Sequence, residues 1–420
     1  MTARTNQRID GARLWDTLME IAKIGATPKG GVKRITLSAE DRQGRQLFQG
    51  WCEAVGLKVR VDSMGNMFAR REGRDATRPP VLLGSHLDSQ PTGGKFDGAL
   101  GVIAGLEVMR TLHDLHIVTE APIELVNWTD EEGCRFGRAM MGSAVWAGLA
   151  AEETIKALKD EEGITVAEAL QKIGFTGAEL CAAFPADALF ELHIEQGPML
   201  EAEQKKIGIV TGAQAQIWFD AEVTGYDSHA GTTPAVVRKD ALLTAARIVD
   251  LVDAIMREEG DTSMTDPGRG TVGRFNVYPN SPNVIPGRVR FSVEFRNVSE
   301  QRISDIAETF PARAKALAEA NHTELTMTPI FRVPAQPFDP ECVSLVEQAA
   351  AKLGYPARRM VSGAGHDAVH TAMRIPTAMI FTPCKNGLSH NEAESIEPDE
   401  AEAGTQVLFE AVLARANRVI

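Results

Sequence analysis

The 420-residue sequence has no run of eighteen or more apolar residues, so no transmembrane helix is expected. Its first residues, Met-Thr-Ala-Arg-Thr-Asn-Gln, lack the apolar segment of a secretory signal. Cysteine is scarce: Cys52, Cys134, Cys181, Cys342 and Cys384 are an odd, scattered set with no Cys-x-x-Cys pair. That spacing argues against a disulfide framework or a thiolate zinc site, and for reduced thiols in a cytoplasmic protein. No basic stripe offsets the formal net charge of −13, so neither nucleic acid nor membrane is an expected partner. The acidity itself is a statement about solubility. There is no internal repeat and no low-complexity segment.

What is present is enough apolar residue, 44%, to fill real cores over a length that suits two domains. Helical spacing covers 8–26, and Ser38 with Asp41 resembles a capping box opening a helix to about Gly56. Residues 57–71 alternate and break at Met64-Gly65-Asn66, a hairpin signal. Buried strands are expected at 81–83, 123–128 and 188–192, and a helix at 99–112. Strand, helix and strand at this spacing predict a largely parallel sheet with helices on its faces. Farther on come a strand at 217–223, a helix at 234–258, strands at 273–278 and 289–295, a helix at 299–320 and a strand at 324–331. This β-α-β-β-α-β order describes a self-sufficient α+β unit. Hinge-like segments flank it, Thr211-Gly212-Ala213 and Val333-Pro334-Ala335-Gln336-Pro337. A helix at 343–353, a strand at 377–382 and a helix at 399–416 resume the first pattern. The expected architecture is therefore α/β: a discontinuous domain of 1–211 and 332–420 with a mixed, mostly parallel sheet, interrupted by an α+β domain at 212–331.

The chemistry-bearing residues cluster just past predicted strand ends, where open α/β sheets place their sites. His86-Leu87-Asp88 follows the first buried strand. A metal-bound histidine needs its second ring nitrogen held, which a neighbouring carboxylate does well. Asp97 lies in Gly-Gly-Lys-Phe-Asp-Gly at the head of a predicted helix, where an N-cap is the simpler role and a metal bridge the richer one. Asp130-Glu131-Glu132 puts three negative charges at a strand end, where they repel unless a cation or solvent intervenes. Adjacent side chains there diverge, so one can ligate while its neighbour faces water. His193 and His390 complete an ordered set of imidazoles and carboxylates sufficient for two metal ions. His366-Asp367-Ala368-Val369-His370 mimics the zincin His-Glu-x-x-His, although Asp is a poor substitute for its general base. His113, His116 and His322 read as surface residues.

These residues resemble those of the dinuclear metallohydrolases that include aminoacylases and glutamate carboxypeptidases. Gly-Ser-His-Leu-Asp-Ser-Gln, Phe-Asp-Gly-Ala-Leu-Gly-Val, His-Ile-Glu-Gln-Gly-Pro, Ser-His-Ala-Gly-Thr-Thr-Pro, Asn-Val-Ile-Pro-Gly, Gly-Ala-Gly-His-Asp and Ser-His-Asn-Glu are similar to its hydantoinase/carbamoylase branch. That branch holds N-carbamoyl-L-amino acid hydrolases, β-ureidopropionases and allantoate amidohydrolases. The resemblance implies two divalent ions (zinc, manganese or cobalt), with Asp97 bridging, Glu132 and His390 on one site, and His86 and His193 on the other. It implies Asp88 orienting His86, Glu131 as general base and His229 stabilising the oxyanion. Asn283 and Arg296 would bind a substrate carboxylate, with Gln196 and the loop Gly363, Gly365 and His366 as further substrate contacts. Hydrolysis of a small ureido acid by a homodimer is implied, the inserted domain acting as lid and dimerisation surface. Two other readings remain open at this level: a thiol amidase using Cys134, and a binding protein that has lost its chemistry.

Overall fold

Six successive buried residues, Val81–His86, form the strand around which the larger unit is built. They pair in parallel with Ile123–Trp128 on one side and Ala188–Ile194 on the other. Continuous apolar runs of this kind belong to sheets covered on both faces. The computed structural model describes residues 7–258 and 268–418; the extreme N-terminus read for a signal lies outside them. The chain divides into two compact units, one up to Gly212 and from Pro337 onward, the other Ala213–Gln336.

In the larger unit a nine-stranded sheet runs in the order Lys58–Val61, Met67–Arg71, Ile123–Trp128, Val81–His86, Ala188–Ile194, Thr377–Thr382, Ile207–Ala213 across seven of its strands. The four central strands are parallel and the flanking pairs antiparallel. The helix Ala99–Asp114 is buried along almost its whole length, as is Pro398–Ala416. This is the mixed, mostly parallel sheet flanked by helices that the sequence predicts.

The smaller unit has an antiparallel sheet in the order Glu324–Val333, Ala215–Thr224, Arg288–Asn297, Arg269–Tyr278. Strict alternation of buried and open residues along Ala215–Thr224 places one face on its own core, against the helices Ala241–Glu258 and Glu300–Ala320. A short ribbon, Ser228–His229 with Val284–Ile285, is additional to the predicted pattern.

Several boundaries differ from the sequence reading for local reasons. The first helix is Gly11–Ile21 rather than 8–26, because the Asp10 carboxylate caps Arg13 N. The helix expected from 234 begins at Ala241, where Asp240 accepts from Leu243 N; only a short turn, Ala235–Val237, precedes it. Ser38 does cap Asp41 N, but the Asp41 carboxylate accepts from Leu37 N and Arg45, so the reciprocal half of a capping box is missing. The hinge at Thr211-Gly212-Ala213 is extended strand. The strand Ala357–Ser362 and the buried helix Met141–Trp146 were not foreseen.

Candidate active site

The central strands end together, and the predicted ligands gather at those ends. His86 is the last residue of its strand and His193 lies within Ala188–Ile194, so both are held by backbone pairing rather than by loops. Asp97 does not cap the following helix: Gly98 occupies that position at φ 64°, with no side-chain cap. An added Cβ at Gly98 would lie 2.3 Å from the His86 ring, so both conformation and close approach require glycine there.

The Asp97 carboxylate is divided between two sets of partners. Oδ1 is 3.2 Å from His193 Nε2 and 3.6 Å from His86 Nε2. Oδ2 is 3.4 Å from His390 Nε2, which is itself 3.2 Å from Glu132 Oε2. His86, Asp97 and His193 therefore form one group able to hold a cation, and Asp97, Glu132 and His390 another. The buried Nε2 of His86 has no hydrogen-bond partner, although it is aimed at Asp97 Oδ1 and at Glu131 Oε2, 3.7 Å away. A buried polar nitrogen left in this state is costly unless a cation takes its lone pair. Imidazole and carboxylate donors suit borderline divalent ions, so the residues fit divalent metal.

Asp88 acts differently from the expectation. Its backbone carbonyl, at 3.0 Å, holds His86 Nδ1, while the carboxylate is 3.7 Å away. The carboxylate instead accepts from the amides of Glu131 and Glu132, at 3.3 and 3.2 Å. The tight turn leaves the carbonyl nearest the ring and frees the side chain to anchor the next strand's end. His193 Nδ1 likewise meets the Ile194 carbonyl at 2.9 Å, and its Nε2, which takes the Gly98 amide at 3.2 Å, is thereby turned toward Asp97.

Burial, then the neighbouring Glu132, pushes the Glu131 carboxyl well above the usual range. Asp130 and Asp367, both buried, are pushed the same way by burial first, with the Ser143 hydroxyl opposing the rise at Asp367. Burial lowers His193, but the Asp97 hydrogen bond together with the charges of Asp97 and Glu191 outweighs it, and the ring rises to about 9. His390 rises to about 9 chiefly through Glu132. Burial holds His366 well below its ordinary value, so that ring is neutral.

Gln196 donates to Asp97 Oδ2 at 2.8 Å. His366 Nε2 meets Ser362 Oγ and His370 Nδ1 meets Ser143 Oγ, each at 2.9 Å. Among the described residues no potential ligand group contains both rings, so the zincin reading fails. Gly363 and Gly365 lie in the loop before His366 and are half-buried. Cys134 is half-buried, its thiol pushed up to about 12 by burial and then by Asp88, which disfavours the thiolate a thiol amidase needs.

In the smaller unit, exposed His229 receives the amides of Gly231 and Thr232 on Nδ1, at 3.0 and 3.2 Å. Nδ1 is thus the acceptor and Nε2 carries the proton. The short ribbon sets His229 beside Asn283, whose carbonyl accepts from Ala230 N. Arg296 is half-buried on the Arg288–Asn297 strand, 3.3 Å from Glu294. His113, His116 and His322 are exposed, as expected.

Three contributors were missed. Gln90 Nε2 donates to Glu132 Oε2 at 2.8 Å, and buried Arg34 Nε holds the Leu87 carbonyl at 2.6 Å. Ser389 Oγ is 2.8 Å from Asp97 Oδ2. Gln90 and Ser389 adjoin ligand motifs, which is a usable signal; Arg34 carries none.

The profile of peptidase family M20/M25/M40 matches residues 82–414. N-carbamoyl-L-amino-acid amidohydrolase of Rhizobium meliloti is 46% identical over 99% of this chain and 98% of its own. Allantoate amidohydrolase of Bacillus subtilis is 31% identical over 94% and 95%. The crystal structure of an amidase of the hydantoinase/carbamoylase family from Burkholderia multivorans superposes with a TM-score of 0.94, at 49% identity over 99% of this chain and 100% of that one. The ligand geometry, the family profile and relatives matching end to end agree: the chain belongs to peptidase family M20/M25/M40 and, within it, to the hydantoinase/carbamoylase family.

Proposed function

We propose that this protein is a metal-dependent amidohydrolase that hydrolyses the carbamoyl C–N bond of an N-carbamoyl-L-amino acid, giving the amino acid, carbon dioxide and ammonia. The observation that carries the reading is the Asp97 carboxylate with one oxygen toward each imidazole group, beside the buried acid Glu131. The identity to the Rhizobium relative favours that substrate over allantoate or N-carbamoyl-β-alanine. Two divalent ions, zinc, manganese or cobalt, would be held by His86, Asp97 and His193 and by Asp97, Glu132 and His390; bound there they acidify water and polarise the substrate carbonyl.

The chain's own residues do the rest. Glu131 takes the proton of the attacking water and returns it to the departing nitrogen. His229 donates from Nε2 to the carbonyl oxygen as charge develops there, a role its Nδ1 contacts prepare. Arg296 and Asn283 hold the substrate carboxylate, with Gln196 and the Gly363–His366 loop as further contacts. The smaller unit serves as lid and as the contact surface of a homodimer, and the free cysteines fit a reducing, cytoplasmic setting.

A substrate panel tests this. Metal-free protein reloaded with each ion is given an N-carbamoyl-L-amino acid, N-carbamoyl-β-alanine and allantoate. The first should be turned over fastest, and a chelator should abolish the activity while Cys134→Ala preserves it. Turnover surviving metal removal, or preference for another substrate, overturns the assignment.

A further inference from the structure

Glu394 is buried beside the ligand set without belonging to it. Its Oε1 accepts from the backbone amides of Phe96 and Asp97, both at 3.0 Å. Its Oε2 lies 3.2 Å from Ser389 Oγ. The same hydroxyl is 2.8 Å from Asp97 Oδ2 and accepts from Gln196 Nε2 at 3.1 Å. A serine hydroxyl has one proton to give, and here two carboxylates stand within its reach. The space for Glu394 exists because residue 94 is glycine: a Cβ there would lie 2.1 Å from the carboxylate.

We propose that Glu394 is a positioning residue for Asp97, fixing its backbone and offering Ser389 a second acceptor, so that the hydroxyl proton turns off Asp97 when a cation claims that oxygen. This rests on the reading of Asp97 as a metal bridge. A proton donated to a carboxylate oxygen competes with a cation for the same lone pairs. The partner that draws the proton away strengthens the ligand. Outer partners of metal ligands typically alter affinity about 10- to 100-fold.

Glu394→Gln turns this arrangement round. The amide donates to Ser389 Oγ, and the hydroxyl proton is left with Asp97 as its only carboxylate. Zinc titration of the metal-free full chain by calorimetry should show binding about tenfold weaker or more, with the circular dichroism of wild type. Ser389→Ala alone should bind within about threefold of wild type, because the hydroxyl's proton is gone and only the Gln196 amide, common to all the variants, still donates to that oxygen. The double variant should recover most of the loss, which a simple loss of charge at Glu394 would not permit. Wild-type affinity in Glu394→Gln, or a double variant as weak as Glu394→Gln, overturns the proposal while leaving the metal site standing. Absence of zinc binding in wild type overturns the site reading itself. Should Glu394→Gln not fold, Gly94→Ala takes its place: its Cβ expels the carboxylate, the same weakening is expected, and unchanged affinity overturns the proposal.

Discussion

The side chains around Asp97 differ in what a proton does to them, and the proposed division into ligands and base rests on that difference. Glu132 and His390 face each other, whereas burial and then Glu132 hold the Glu131 carboxyl well above its usual pKa range, and it falls in none of the possible ligand groups among the described residues. Glu131→Gln should lower kcat about a thousandfold, with metal content and KM near wild type; steady-state kinetics within tenfold of wild type would remove its proton-transfer role. The same groups set the pH behaviour of the metal-free protein. Glu131, Asp130 and Asp367 are raised by burial, so their protons stabilise the fold at low pH and that contribution fades as pH rises. His193 and His390 rise from 6.5 to about 9, so their contribution is complete below 6.5 and lost through about 9. Both effects have one sign. Thermal unfolding of the metal-free protein should move to lower temperature between about pH 7 and 9, above the range where His366 and His370, lowered by burial, act with the opposite sign, and divalent ions should restore most at the alkaline end; a flat profile would contradict these shifts.

At the scale of the element, three parallel strands and the helix after Asp97 act as one bracket. Gly98→Ala puts a Cβ 2.3 Å from the His86 ring and should weaken divalent binding by tenfold or more, whereas Gly30, also at positive φ, has nothing within 4 Å of an added Cβ. Gly30→Ala should therefore cost only backbone strain, about 1 kcal/mol, in denaturant unfolding with metal binding intact. Equal metal binding in the two variants would show that the bracket does not locate His86. The strands Ile123–Trp128 and Thr377–Thr382 were legible to the residue, because fully buried strands read as unbroken apolar runs. Met141–Trp146 was not: a short helix buried on every side has no amphipathic period to reveal it. Likewise the start of Ala241–Glu258 depends on a local cap at Asp240 rather than on the apolar spacing.

For the whole molecule, the proposed homodimer predicts that light scattering returns twice the chain mass of 45.4 kDa; a monomer mass at working concentration would refute it. By itself the sequence determined the alternation of strands and helices, the inserted α+β segment and the imidazole and carboxylate side chains proposed as ligands. These are properties of residue type and short-range period, which burial enforces one element at a time. Only the tertiary structure decided that Asp88 holds His86 by its carbonyl, that the two oxygens of Asp97 face different imidazoles, and that Glu394 secures the Asp97 amide across 297 positions of chain. Those contacts depend on which strand ends lie side by side and in what register. No local pattern encodes that, because a hydrogen bond is satisfied by distance in space and not by distance along the chain.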